Sequence, residues 1–81
     1  MSTKSKRLAS ILANPKQVRF DDACKTAEQL GFVHGGGAGS HRAYQRTGEL
    51  IGLNFQNRNG FIPPYQARQL IAMIEKYGDL A

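Results

Sequence analysis

Cysteine is almost missing from this chain: Cys24 is the single thiol in 81 residues. A lone cysteine excludes an intramolecular disulfide and a cysteine-based zinc set, and it fits a reducing compartment, so a cytoplasmic protein is expected. Cys24 falls within a helical apolar pattern and reads as a buried thiol rather than a nucleophile. Long apolar runs are missing as well. No stretch approaches the ~18 residues of a membrane helix, and the N-terminus lacks the apolar run of a signal peptide. Neither a membrane partner nor secretion is expected. Acids are few, with six Asp and Glu against eleven Lys and Arg, for a formal charge of +5. Asp21, Asp22, Glu28, Glu49, Glu75 and Asp79 are scattered, and none has a spacing to a histidine that suggests a ligand set. Neither a metal nor a cofactor is expected. Asp21 and Asp22 are better explained by helix capping.

What is present suits one small domain over 1–81, able to hold a single core between two layers but no separate substrate domain. Any active site must lie on its surface or be completed by a partner. The positive charge is uneven: Lys4, Lys6, Arg7, Lys16 and Arg19 all precede the first acid, Asp21. Basic chains of this size most often meet nucleic acid or an acidic protein. A solvated basic face without a ligand is the alternative.

Leu8, Ile11 and Leu12 recur at helical spacing and predict a basic helix over 5–13, ended by Asn14-Pro15. A second helix is expected from Asp21, with Ala23, Cys24, Ala27 and Leu30 on one side and Gly31 as its stop. Phe32 falls where a hydrophobic contact closes such a helix end. Short strands are predicted over 32–34 and 41–46, the second alternating His41, Ala43 and Gln45 against Arg42, Tyr44 and Arg46. Gly48 marks a turn, and a third strand over 50–55 places Ile51, Leu53 and Phe55 on one side. Asn57-Arg58-Asn59-Gly60 has turn chemistry. Pro63-Pro64 suits the start of a last helix, whose buried stripe is Ala67, Leu70, Ile71, Ile74 and Tyr77 and whose stop is Gly78. The expected fold class is therefore α+β, in the order helix, helix, strand, strand, strand, helix, with a three-stranded antiparallel sheet and the helices packed on one face.

Glycine is the residue in excess, with four in the five positions 35–39. Such a run must turn sharply or approach something closely. It is not a Walker loop, because no Lys followed by Ser or Thr ends it and a strand rather than a helix follows. A flexible hairpin connection and a phosphate cradle both remain open. The run delivers His41 to the start of a strand. A histidine near its ordinary, near-neutral pKa can take the proton of a ribose 2′-hydroxyl and make that oxygen a nucleophile for the adjacent phosphate. Arg42 and Arg46 are candidate phosphate contacts, Gly39 and Ser40 position the loop, and Tyr44 could stack on a base. His34, across the glycine run, is a candidate base, a proton-donating partner or an uninvolved strand-end residue. Ser40 has no pattern around it that would make it a nucleophile.

With Lys6-Arg7-Leu8-Ala9-Ser10-Ile11-Leu12, Val18-Arg19-Phe20, Gly31-Phe32, Gly39-Ser40-His41, Asn54-Phe55-Gln56 and Pro64-Tyr65-Gln66-Ala67-Arg68-Gln69-Leu70, the chain resembles the HicA toxins of prokaryotic type II toxin–antitoxin modules. The resemblance implies a fold similar to the double-stranded-RNA-binding domain. It also implies a metal-independent mRNA interferase, an endoribonuclease in which His41 is catalytic, neutralised by a HicB-type antitoxin. The chain departs from that pattern at Gly36-Gly37-Ala38, where many relatives carry a basic residue. Phosphate neutralisation is then left to Arg42, Arg46 or the N-terminal cluster. The competing expectation is a non-catalytic RNA-binding module that uses the same basic sheet, with salt-sensitive affinity and no cleavage product. A protein-interaction subunit docking an acidic antitoxin is compatible with the first reading.

Overall fold

Helix α2 (Phe20–Gln29) ends where Gly31 adopts φ +93°, a left-handed conformation that other residues rarely take. The Gly31 N–H donates to the Glu28 carbonyl at 3.1 Å and the Phe32 N–H to the Ala27 carbonyl at 2.9 Å. That pair of bonds is the Schellman closure, and buried Phe32 completes it. The other end differs from expectation. Arg19, without a side-chain cap, is the N-cap, and Asp21 and Asp22 occupy the first turn. Their charge there faces the positive end of the helix dipole instead of capping its free amides.

The computed structural model describes residues 3–78. Asp79, the remainder of the 1–81 span and the side chains of residues 3–5, Lys4 among them, lie outside the described residues. Helix α1 (Thr3–Ala13) precedes α2, and α3 (Pro64–Tyr77) closes the chain order after the strands β1 (Val33–Gly36), β2 (His41–Gln45) and β3 (Leu53–Gln56). In α1, Ile11 is buried and Leu8 packs against the core, but Leu12 turns outward. Pro63 is the N-cap of α3 and Pro64 its first residue, a position whose missing N–H costs nothing. The buried stripe of α3 runs through Gln66, Ala67, Leu70, Met73 and Ile74, with Ile71 and Tyr77 on its flank. Gly78 caps the helix in right-handed conformation.

The sheet is an antiparallel meander, β1-β2-β3. Opposite pairs Arg42↔Phe55 and Tyr44↔Leu53 share one face, while His41↔Gln56 and Ala43↔Asn54 share the other. Tyr44, Leu53 and Phe55 are sealed under α2 and α3, so the first face is the core and the second is open. The element order and the three-stranded antiparallel sheet agree with the expected α+β class.

The strand boundaries are corrected, and β2 ends at Gln45, one residue before the expected Arg46. Strand β1 starts at Val33 and continues through Gly35 and Gly36, with a bulge between His34 and Gly36, so half of the glycine run is ladder rather than loop. Strand β3 starts only at Leu53. The Ile51 N–H donates to the Glu49 carboxylate at 2.9 Å, which satisfies that amide outside the sheet and leaves Leu50 and Ile51 exposed. Beyond β3, Asn59 (φ +54°) and Gly60 (φ +91°) form the two-residue turn expected of Asn-Gly, with Arg58 and Phe61 exchanging backbone bonds of 2.8 and 3.1 Å. Bonds from Ile62 N–H to the Val18 carbonyl and from Phe20 N–H to the Gly60 carbonyl tie this hairpin to the start of α2.

Candidate functional site

His41 opens β2 at the end of the loop that the glycines form, exposed on the open face of the sheet. Three backbone features hold it. Its N–H closes a turn on the Ala38 carbonyl at 3.2 Å, and the Asn57 N–H donates to the Ser40 carbonyl at 2.8 Å. Gly37 lies behind it at φ +80°, so close that a Cβ there would stand 2.5 Å from the His41 carbonyl oxygen. Gly39, at φ +62°, has open space around it and serves the turn alone. Gly39 and Ser40 thus shape the loop before His41.

The residue opposite His41 is Gln56. Its N–H points away from β2 and donates to the Oε1 of Gln66 at 2.8 Å. The His41–Gln56 pair is therefore a non-hydrogen-bonded one, the kind in which facing side chains come closest. The Oε1 of Gln56 accepts from the Nη2 of Arg58 at 3.0 Å, which brings a guanidinium toward the His41 side of the sheet. A cleft of about 350 Å³ lies here, lined by Gly37, His41, Arg42, Ala43, Asn54, Phe55, Gln56, Tyr65 and Gln66. A second depression, of about 290 Å³ and lined by Val33, Gly35, Gln45, Arg46 and Thr47, contains no group suited to proton transfer near pH 7.

The strand alternation divides the expected site residues between two faces. Tyr44 is on the core side, 0 % exposed, its hydroxyl donating to the Glu28 carboxylate at 3.2 Å and its ring 5.9 Å from that of Phe55. Burial pushes its hydroxyl up to about 12. No base can stack on it. Arg46 is on the same side and is also corrected: its Nε donates to the Leu30 carbonyl at 3.0 Å and its guanidinium lies 4.0 Å over the Tyr77 ring. Arg42 borders the cleft, but its guanidinium lies 5.8 Å from the centre of the Phe20 ring. The Tyr44 hydroxyl beside it holds its pKa above the ordinary value. His34 pairs opposite Tyr44, with the two rings 5.6 Å apart, so it stands on the other face from His41 and the two histidines do not form an acid–base pair. Cys24 is buried, which pushes its thiol pKa up, as suits an inert thiol.

The residues that share the cleft with His41 are Asn54, Gln56, Tyr65 and Gln66, and Arg58 is linked to it through Gln56. Most of them belong to the segments Asn54-Phe55-Gln56 and Tyr65-Gln66, which carry the family resemblance but whose contact with His41 depends on where α3 packs. Gln66 is the instructive one. It is 3 % exposed and bonded at both ends, to the Gln56 N–H and to the Tyr65 hydroxyl at 3.2 Å. Among the described residues, no three His, Cys, Asp or Glu side chains gather closely enough to hold a metal ion. No helix among them is long and apolar enough to cross a membrane. Compared with known proteins, the chain matches no family model, no curated protein and no solved structure.

Proposed function

We propose that this chain is a HicA-type toxin, a metal-independent endoribonuclease that cuts mRNA in the cytoplasm and is neutralised by a HicB-type antitoxin, on a fold of the double-stranded-RNA-binding-domain kind. The observation that carries the reading is the position of His41, exposed on the open sheet face at a glycine turn and beside a polar cleft. In the proposed reaction His41 takes the proton of a ribose 2′-hydroxyl. The oxygen attacks the adjacent phosphorus, and the products carry a 2′,3′-cyclic phosphate and a 5′-hydroxyl. Arg58, held by Gln56 next to His41, is better placed than Arg46 to face the phosphate. Its guanidinium offers the planar donor fork that suits phosphate oxygens.

Expression of the parent chain and of His41→Ala in parallel tests the proposal. The parent is expected to arrest growth and to yield cyclic-phosphate termini on a defined transcript. His41→Ala is expected to lose at least about 100-fold in cleavage, the typical contribution of a positioned base. Chelator is expected to leave the rate of the parent unchanged. Binding of RNA without any cyclic-phosphate product would instead identify a non-catalytic RNA-binding module.

A further inference from the structure

Breaking an RNA chain by 2′-hydroxyl attack requires a second proton transfer, because the departing 5′-oxygen leaves poorly as an alkoxide. We infer that Tyr65 is the general acid that supplies this proton. The inference rests on the reading of His41 as the base. Among the described residues lining the cleft, His41 and Tyr65 are the two with a side-chain proton that can be transferred, since an arginine does not deprotonate in a protein.

The hydrogen bonds define which way the Tyr65 proton points. The backbone N–H of Gln56 is a donor and can only face an oxygen, so the Gln66 atom 2.8 Å from it is Oε1. The other end of that side chain is then the NH₂ group, and it donates to the Tyr65 oxygen at 3.2 Å. Its oxygen is the acceptor in this bond and its proton has no acceptor among the described residues, which leaves that proton to be donated to a bound substrate. The same buried amide remains in place to hydrogen-bond the oxygen after the proton has gone. Tyr65 is half exposed at the first turn of α3, and the Gln56 that anchors Gln66 is the residue opposite His41. Base and acid are therefore tied to the same point of β3 while approaching the cleft from different elements.

In the step, the P–O2′ bond forms as the 2′-proton moves to His41, and the P–O5′ bond breaks as the Tyr65 proton moves to O5′. The imidazolium afterwards returns a proton to the phenolate, directly or through water, and the protein is unchanged.

The experiment compares two RNA oligonucleotides cut by the same purified full-length preparations, one of ordinary composition and one with sulfur in place of the bridging 5′-oxygen at the cleaved linkage. A thiolate leaves without protonation, so it removes the need for an acid. For Tyr65→Phe the ratio of sulfur-substrate rate to oxygen-substrate rate is expected to rise about 100-fold over the parent, the scale of general acid catalysis. A ratio equal to that of the parent overturns the inference, and loss of folded protein cannot imitate the rise because it scales both rates alike. His41→Ala is expected to lose both substrates. If Tyr65→Phe raises the ratio while His41→Ala cuts normally, Tyr65 is upheld as the acid and the reading of His41 fails. If the parent cuts neither oligonucleotide, the nuclease reading fails and this inference with it.

Discussion

At the scale of single residues, the glycines before His41 do different jobs. Gly37 has both a left-handed φ of +80° and a backbone neighbour where its Cβ would go, whereas Gly39 has the left-handed φ alone. An L-residue in that conformation costs roughly 1–2 kcal/mol. Urea melts are expected to show Gly39→Ala destabilised by about that much, and Gly37→Ala by more, because its methyl group must displace the His41 carbonyl. Equal losses for the two would show that contact behind His41 is immaterial. His41 itself was legible in the sequence, since Gly39-Ser40-His41 stands out in any reading. Tyr65 was not. Its standing depends on a hydrogen bond from Gln66, and the Gln66 orientation depends on an amide from another element.

At the scale of elements, the alternation along β2 was correctly legible while its consequence was not. His41, Ala43 and Gln45 were separable from Arg42, Tyr44 and Arg46 by position alone, yet only the burial of one face shows which set meets solvent. Two arginines flanking a tyrosine read as an RNA surface, but here they line the helix side. Arg46, just past the end of β2, joins that strand to the Leu30 carbonyl at the end of α2 and to the Tyr77 ring on α3. Arg46→Ala is expected to lower stability by about 1–2 kcal/mol, from a charge-assisted hydrogen bond and a cation–π contact. RNA cleavage by the folded variant is expected to match the parent. A variant that melts like the parent but cleaves poorly would return Arg46 to the substrate.

At the scale of the molecule, the loop between β2 and β3 is anchored to the far end of the chain through Glu49. Its carboxylate accepts from Lys76 Nζ at 2.6 Å, from the Tyr77 hydroxyl and from the Ile51 N–H at 2.9 Å. These donors, Lys76 first, pull Glu49 down to about 2 from its ordinary 4.5. Because the folded value is the lower one, the network stabilises fully above pH 4.5, and its contribution is lost as pH falls toward about 2. Thermal melts are therefore expected to decline across that interval, and less steeply in Glu49→Gln. An identical pH slope in the variant would show that Glu49 takes no part in acid unfolding.

Periodicity and turn chemistry by themselves determined the element order, the Gly31 stop, the proline start of α3 and the Asn59-Gly60 turn, because each depends on backbone preferences within a few residues. They failed at Leu50 and Ile51, whose β-strand character is overridden by the Glu49 side chain. Only the tertiary structure decided which face of β2 is open, and it set Gln56 and Tyr65, rather than Tyr44 and Arg46, in the cleft beside His41. The physical reason is that a strand offers two equivalent faces. The choice between them is made by the helices that pack on one side, while the hydrogen bond that the Gln56 N–H donates to Gln66, ten residues farther along the chain, fixes the start of α3 beside the open face.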